Sequence, residues 1–149
     1  AFNIEDLKLN ADLFYKTRVN LIEQPLLSGN DNELKGLNYP VSICADESFH
    51  DSSDLDEMKN KYDTINIKLD KTGGLSEALI IANEAKKLNL KIMLGCMVSS
   101  SLSMIPLLPL YKFADFIDLD GPCFISNDRE NGLSYEKGMI LLNRDLCWG

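Results

Sequence analysis

Carboxylates end two short apolar runs of the sequence, a position where side chains that do chemistry often lie in parallel α/β proteins. Glu23 ends the run 19–23, and Asp46 ends the next run, 41–46. Carboxylates at the ends of neighbouring strands can share a divalent cation, and their hard oxygen atoms suit Mg²⁺. Either residue alone is more simply explained as a solvated charge at a loop entry. Two of them in register on adjacent strands favour a metal site.

Lys68 lies inside a third apolar run, 64–69. A lysine buried there must be paired or must lose its proton. A nearby Mg²⁺ and partial desolvation would both lower its pKa, which is how a lysine becomes a general base near neutral pH. The alternative is a structural ion pair with Asp46 or Asp118. Lys71 is expected to be a surface charge in the following turn.

Two further carboxylates, Asp118 and Asp120, share one face of the run 115–120. Two inward carboxylates can bind an ammonium group through charge-assisted hydrogen bonds, or they can join the metal site. Repulsion relieved by solvent is the weaker explanation for residues embedded in an apolar run. His50, the only histidine, lies in a polar stretch and is expected at the surface, so no catalytic Ser–His–Asp arrangement is predicted.

Five evenly spaced apolar runs are the elements that must position these residues. They cover 19–23, 41–46, 64–69, 91–95 and 115–120. This spacing leaves room for one crossover helix per strand, as in the βαβ unit of a parallel sheet. Apolar periodicity predicts helices over 4–16, 51–61 and 75–88, and a less regular helical segment over 99–112, which contains Pro106 and Pro109. Loop and short extended pieces are expected over 130–149.

Successive β/α units form either an open sheet or a (β/α) barrel, and the polar strand ends favour the barrel. In a barrel these ends converge on one mouth, whereas in an open sheet they lie along an edge without a common focus. A closed barrel needs eight strands and about 250 residues. A chain of 149 residues with five strands cannot close alone. We therefore predict an α/β fold over residues 1–149 that forms the C-terminal part of a barrel.

Composition and charge argue against several classes of protein. Hydrophobic residues make up 45% and charged residues 26% of the chain, as in globular domains. The formal net charge of −8 opposes binding to nucleic acid or anionic membranes, and the apolar stretches are too short to span a bilayer. The four cysteines, Cys44, Cys96, Cys123 and Cys147, lie far apart without a CxxC pair, so we expect reduced thiols in a cytoplasmic protein.

Five short motifs, taken in order, resemble those of the enolase superfamily. They are Ile22-Glu23-Gln24-Pro25, Ala45-Asp46-Glu47-Ser48, the stretch 66–74 with Lys68 and Gly73-Gly74, Gly95-Cys96-Met97 and Asp118-Leu119-Asp120-Gly121-Pro122. Within the superfamily they are most similar to the muconate-lactonizing-enzyme subgroup and, inside it, to dipeptide epimerases of the L-Ala-D/L-Glu type. The resemblance implies a (β/α)7β barrel of TIM type whose capping domain and first strands have no counterpart in this sequence.

The resemblance also implies a role for each candidate residue. Glu23 and Asp46 would be two of three Mg²⁺ ligands, and Lys68 would be one of two opposed acid/base lysines. Asp118 with Asp120 would hold the α-ammonium of a dipeptide. The family reaction removes the α-proton of the second residue, forms an Mg²⁺-stabilised enolate and returns a proton on the other face. The expected partners are a small dipeptide, the missing N-terminal part of the same protein and a second copy in a homo-oligomer.

Three alternatives stay open. The first is another enzyme of the same subgroup, such as a cycloisomerase or an o-succinylbenzoate synthase, although a substrate without an ammonium group needs no Asp118–Asp120 pair. The second is a Schiff-base aldolase, which could use Lys68 but would not need Glu23 and Asp46 as metal ligands. The third is a metal-binding but inactive barrel, or a fragment with a structural role only.

Overall fold

The computed structural model describes residues 1–142, 144–146 and 148, and a sheet of five parallel strands lies at its centre. The strands are β1 (Leu21–Glu23), β2 (Ser42–Ala45), β3 (Thr64–Ile67), β4 (Lys91–Leu94) and β5 (Phe116–Ile117). They pair in sequence order. All their C-terminal ends therefore lie at one edge of the sheet, as the even spacing of the apolar runs predicted.

Helical segments make most of the connections. The α-helices are α1 (Ile4–Leu9), α2 (Ala11–Lys16), α3 (Leu55–Met58), α4 (Leu69–Thr72), α5 (Leu75–Lys87) and α6 (Ser101–Met104), and 3₁₀ turns cover Asp31–Leu34, Ser52–Asp54, Ile105–Phe113 and Gly121–Phe124. After the sheet, β6 (Ser134–Glu136) and β7 (Met139–Leu141) form an antiparallel hairpin. No helix in the described part of the chain is long and apolar enough to cross a membrane.

The longest helix, α5, packs one face against the sheet. Ala78, Ile81, Ala82 and Ala85 are fully buried, and the three alanines let the helix lie close to the strands. Apolar spacing in the sequence predicts a buried face that includes Leu79. This is partly wrong, because Leu79 is 38% exposed and Ile81 takes the buried position. In a stretch of consecutive apolar residues, 3.6-residue periodicity leaves more than one face possible.

The helix predicted over 4–16 is interrupted at Asn10. The Asn10 side chain donates to the Asp6 carbonyl oxygen at 2.8 Å, and the Asn10 N–H group bonds the same oxygen. An asparagine side chain competes in this way with the helical backbone pattern. The chain therefore forms α1 and α2 instead of one helix.

Several strands end earlier than predicted. β3 stops at Ile67 and α4 begins at Leu69, so Lys68 lies directly after the strand and not inside it. β5 stops at Ile117, so Asp118 and Asp120 lie beyond the strand and not on one of its faces. An apolar run in the sequence indicates which residues are buried. Buried residues continue past the last residue that forms strand hydrogen bonds, so the runs are longer than the strands.

Side-chain alternation on β3 separates the hydrophobic core from the polar mouth. Ile65 and Ile67 are fully buried in the hydrophobic core with Ile43, Ile92 and other residues of the sheet and helices. Asn66 is equally buried, but it points to the other face, where it meets Glu23. The interior face of the sheet is thus polar near its C-terminal edge.

Candidate active site

The ends of the first three strands bring two carboxylates and a lysine together. β1 pairs with β2 so that Glu23 lies opposite Cys44, which places the Glu23 side chain near Asp46, directly after β2. The Lys68 Nζ lies 2.6 Å from Asp46 Oδ2 and 3.7 Å from Glu23 Oε1. The structure therefore unites Glu23, Asp46 and Lys68, and Lys68 forms the ion pair with Asp46 that the sequence left as an alternative.

A second lysine joins this cluster. Lys71 Nζ donates to Asp46 Oδ1 at 2.7 Å and to the Asp46 carbonyl oxygen at 2.6 Å, and it lies 5.5 Å from the centroid of the Phe49 ring. The prediction of a surface charge is wrong because α4 begins at Leu69, and one turn of helix returns Lys71 to the side of Lys68. Asp46 thus has one lysine on each carboxylate oxygen.

Asn66 supports the other carboxylate. Its Nδ2 donates to Glu23 Oε1 at 2.6 Å, while its Oδ1 is buried without a hydrogen-bond partner among the described residues. Gly95, directly after β4, leaves room for this amide, since a Cβ there would lie 2.5 Å from Asn66 Nδ2. The sequence names Gly95 only within the motif Gly95-Cys96-Met97. The alternation of Asn66 with Ile65 and Ile67 is the signal that could have placed Asn66 in the site.

The acidic members of the cluster have shifted pKa values in opposite directions. Burial raises the pKa of Glu23, and the charge of Asp46 adds to this rise, against the hydrogen bond from Asn66. Burial would also raise the pKa of Asp46, but hydrogen bonds from Lys68 and Lys71 outweigh it, so this pKa is lowered. Asp46 is therefore held as a carboxylate, while Glu23 is the group that more readily takes a proton.

The two lysines also differ. Burial lowers the pKa of Lys68, as expected from the sequence, but the hydrogen bond and charge of Asp46 outweigh it, so the pKa is raised overall. Burial lowers the pKa of Lys71, and the contact with Asp46 only partly opposes this shift. In the chain by itself, Lys68 is thus an ammonium group, which the carboxylates hold in its charged form.

Glu23 and Asp46 suit a divalent cation in chemistry and in placement. Both supply hard oxygen donors, and together they already hold one positive charge, the Lys68 ammonium, between them. Within the described residues, no group of three or more His, Cys, Asp or Glu side chains is placed to hold a metal ion. The two carboxylates therefore fit Mg²⁺ as part of a ligand set and not as a complete site.

Asp118 and Asp120 lie at the same edge of the sheet, after β5. The Asp118 N–H group donates to the Leu94 carbonyl oxygen at 2.8 Å, and Asp120 directly precedes a 3₁₀ turn. Partial desolvation by its neighbours, followed by the charge of Asp120, raises the pKa of Asp118, although much of its side chain is open to solvent. Over residues 1–142, 144–146 and 148, the ion pairs include neither carboxylate. Both side chains are exposed and available to a cation.

The hairpin of β6 and β7 borders this second carboxylate pair. Tyr135 in β6 donates its hydroxyl hydrogen to the Leu119 carbonyl oxygen at 2.7 Å. Asp118 and Asp120 share a cleft of about 560 Å³ with Tyr135 and the apolar residues of β7.

A separate cleft of about 370 Å³ is lined by Asp46, Lys68, Lys71, His50 and Met97. His50 is exposed, as predicted.

Known proteins match this chain over nearly all its length. Residues 2–144 match the enolase C-terminal domain-like family. The N-acetyl-D-glutamate racemase of a Pseudoalteromonas species is 43% identical over 144 residues, which are 97% of this chain and 46% of that protein. The L-Ala-D/L-Glu epimerase of Escherichia coli is 41% identical over 142 residues, which are 95% of this chain and 44% of that protein. The chain thus spans less than half the length of these relatives.

Solved structures agree with the sequence matches. An enolase family member from Agrobacterium tumefaciens with homology to dipeptide epimerases, solved with bound sodium and L-Ala-L-Glu, has a TM-score of 0.93 at 44% identity, covering 99% of this chain and 45% of that chain. The dipeptide epimerase of Methylococcus capsulatus, solved with Mg ion, has a TM-score of 0.84 at 27% identity, covering 95% of this chain and 44% of that chain. These matches confirm the predicted fold, an α/β chain that forms the C-terminal portion of a barrel.

Proposed function

The chain belongs to the enolase C-terminal domain-like family, and from that premise we propose that the complete protein carrying it is an Mg²⁺-dependent epimerase of L-Ala-D/L-Glu-type dipeptides. The observation that carries this proposal is the contact of Lys68 with both Asp46 and Glu23 at the strand ends. Removal of a proton next to a carboxylate needs a base and a metal ion that stabilises the resulting charge. This cluster places a lysine beside two carboxylates that suit such an ion. The relatives named as epimerases support the reaction class.

In this proposal Glu23 and Asp46 hold the metal ion. Bound Mg²⁺ stabilises the negative charge that develops on the substrate carboxylate when the α-proton leaves. Asn66 orients Glu23 through its amide hydrogen bond, and Lys71 holds Asp46 at one carboxylate oxygen and at its carbonyl oxygen. Outer contacts of this kind fix the direction in which ligand oxygens point.

Lys68 is the proposed acid/base residue. An ammonium group has no free electron pair, so Lys68 must first leave Asp46 Oδ2 and lose one proton to water. With Mg²⁺ on the two carboxylates, the ion's charge and the lost contact with Asp46 would lower the pKa of Lys68 and favour this neutral amine. Lys71 stays on the other oxygen of the same carboxylate, so Asp46 keeps its place while Lys68 turns to the substrate. Lys68 then takes the α-proton and leaves an enolate. Return of a proton on the opposite face requires a second acid outside this cluster.

Asp118 and Asp120 are the proposed binding site for the dipeptide ammonium. They lie at the same sheet edge as the metal carboxylates, and no lysine or arginine pairs with them in the described part of the chain. Each charge-assisted hydrogen bond to an ammonium group contributes about 1.5–3 kcal/mol. The pair therefore favours substrates with a free amino terminus.

A racemase of N-acetylated amino acids is the second candidate, because the relative from Pseudoalteromonas carries that name at 43% identity. An acetylated nitrogen has no positive charge, so such a substrate would leave Asp118 and Asp120 without a cation. The epimerase would thus use this carboxylate pair to bind an ammonium group, whereas the racemase would not.

Turnover of three substrates by the complete protein separates the candidates: L-Ala-L-Glu, N-acetyl-L-Ala-L-Glu and N-acetyl-L-Glu. Acetylation of the dipeptide should lower kcat/KM at least about tenfold, or about 1.4 kcal/mol. The Asp118→Asn variant should show a smaller preference for the free dipeptide. Faster turnover of N-acetyl-L-Glu than of the dipeptide would overturn the epimerase proposal in favour of the racemase.

Two further predictions belong to the same proposal. A cytoplasmic location follows from the expected reduced thiols, and cell fractionation with an antibody to the complete protein would test it. Assembly into a homo-oligomer would be tested by light scattering coupled to size-exclusion chromatography.

A further inference from the structure

A chain of hydrogen bonds links a buried ion pair to the turn that follows β1. Lys61 Nζ lies 3.1 Å from Asp31 Oδ1, and each side chain is only 5% exposed. The Tyr62 hydroxyl donates to Asp31 Oδ2 at 3.1 Å. Gln24 Nε2 in turn lies 3.1 Å from the same hydroxyl oxygen. Gln24 is therefore connected to a charged pair in the protein interior.

The amide of Gln24 has partners on both of its polar atoms. Its Nε2 contacts the Leu26 carbonyl oxygen at 2.8 Å and Ser48 Oγ at 2.9 Å, besides the Tyr62 hydroxyl. Its Oε1 accepts hydrogen bonds from the backbone N–H groups of Asp46 at 2.9 Å and Ser48 at 3.2 Å. One side chain thus ties the turn after β1 to the turn after β2.

The backbone of Gln24 is held in an uncommon conformation. Its φ angle is 39°, in the left-handed region that residues with a Cβ seldom adopt. Such a conformation persists where surrounding contacts hold it, and it is often found near functional sites. Gln24 directly follows Glu23, so this conformation also sets the direction in which the chain leaves the first metal carboxylate.

We propose that Gln24 is a positioning residue that sets the spacing of the two metal carboxylates, Glu23 and Asp46. It follows Glu23 in the chain and binds the N–H group of Asp46 through space. On the other side of Asp46, Lys71 Nζ donates to the carbonyl oxygen, so side chains hold both peptide groups of this residue. The inference rests on the proposed function, since it assigns Gln24 to the geometry of that metal site.

Binding of Mn²⁺ to the complete protein tests this role without measuring activity, because the EPR signal of free Mn²⁺ reports how much metal stays unbound. Gln24→Met keeps the side-chain length but removes every amide contact, and Gln24→Asn keeps an amide that is one methylene too short. Both variants should bind Mn²⁺ about tenfold more weakly or worse, as is typical when an outer-shell partner of a metal ligand is lost.

Tyr62→Phe is the matched control. It removes the hydroxyl that joins Gln24 to Asp31 but leaves the contact between Gln24 and the Asp46 N–H group. It should lower the melting temperature while the Mn²⁺ affinity stays that of the parent. A role in stability alone would instead move the melting temperature in every variant and leave metal affinity unchanged.

The outcomes separate this inference from the proposed function. If the parent binds Mn²⁺ and the Gln24 variants bind it equally well, the inference on Gln24 is overturned and the metal site stands. Equal weakening by Tyr62→Phe would also overturn it, and so would failure of both Gln24 variants to fold, because Gln24 would then serve stability. A parent that binds no Mn²⁺ would overturn the metal site and this inference together.

Discussion

Replacing Gly95 with alanine should force the Asn66 amide away from Glu23. The added Cβ would lie 2.5 Å from Asn66 Nδ2 and 2.8 Å from Asn66 Cγ, and closer still to Oδ1. The backbone cannot easily retreat, since the Gly95 N–H group donates to the Ile67 carbonyl oxygen at 3.0 Å. The side chain of Asn66 must therefore move, and its hydrogen bond to Glu23 is lost.

Two contributions set the size of the effect. A hydrogen bond to a charged group contributes about 1.5–3 kcal/mol, and forcing an extra methyl group into a packed site costs about 1–3 kcal/mol. The Glu23 side chain is 34% exposed, so water can replace part of the lost bond. We expect Gly95→Ala to lower the free energy of unfolding by about 2–4 kcal/mol.

A double-mutant cycle with Asn66→Ala tests this mechanism. The three nearest atoms to the added Cβ all belong to Asn66, so in the Asn66→Ala background Gly95→Ala should cost less than about 1 kcal/mol. Urea unfolding followed by circular dichroism gives the four free energies. An equal cost of Gly95→Ala in both backgrounds would refute the assignment of Gly95 to the space that Asn66 needs.

The remaining predictions concern lysines and a buried carboxylate. Lys71→Met should lower kcat/KM of the complete protein about 10- to 100-fold, and a parental value in a dipeptide epimerisation assay would contradict its role at Asp46. Lys61→Met leaves Asp31 buried without its ion-pair partner and should cost about 3–5 kcal/mol in urea unfolding; a loss under about 1 kcal/mol would contradict the pairing. Burial would raise the pKa of Asp31, but Lys61 and Ser48 lower it overall. The stability that ionised Asp31 gives to the folded protein is therefore complete above the unfolded pKa of about 3.9, and it is lost as the pH falls below that value. Asp31→Asn should flatten the decline in stability between about pH 4 and pH 2 relative to the parent, and an unchanged slope would contradict this.

Strand order and the meeting of Glu23, Asp46 and Lys68 could be predicted from the sequence. Evenly spaced apolar runs indicate parallel strands, and the C-terminal ends of such strands share one edge. The position of Lys71 could not be predicted, because the run 64–69 does not indicate where β3 ends and α4 begins. Ladder pairing depends on the neighbouring strand, which hydrophobicity alone does not show.

The proposed role of Gln24 could not be predicted from the sequence either. Its contact with Asp46 joins residues 22 positions apart. The backbone of Gln24 also has a positive φ angle, whereas a residue that precedes a proline is expected to be extended. Among the described cysteines, Cys44 is buried, Cys96 is partly buried and Cys123 is exposed, and their reduced state stays a prediction. Cys147 lies outside the described residues.

Exchange of the substrate α-proton with solvent is the measurement that bears most directly on Lys68 as the acid/base residue. In D₂O with L-Ala-L-Glu, NMR should show the complete protein replacing the α-proton of the second residue and forming L-Ala-D-Glu. Lys68→Ala should form no epimer and should still bind Mn²⁺, with exchange surviving from one enantiomer at most. Epimerisation by Lys68→Ala at the parental rate would contradict the proposed mechanism.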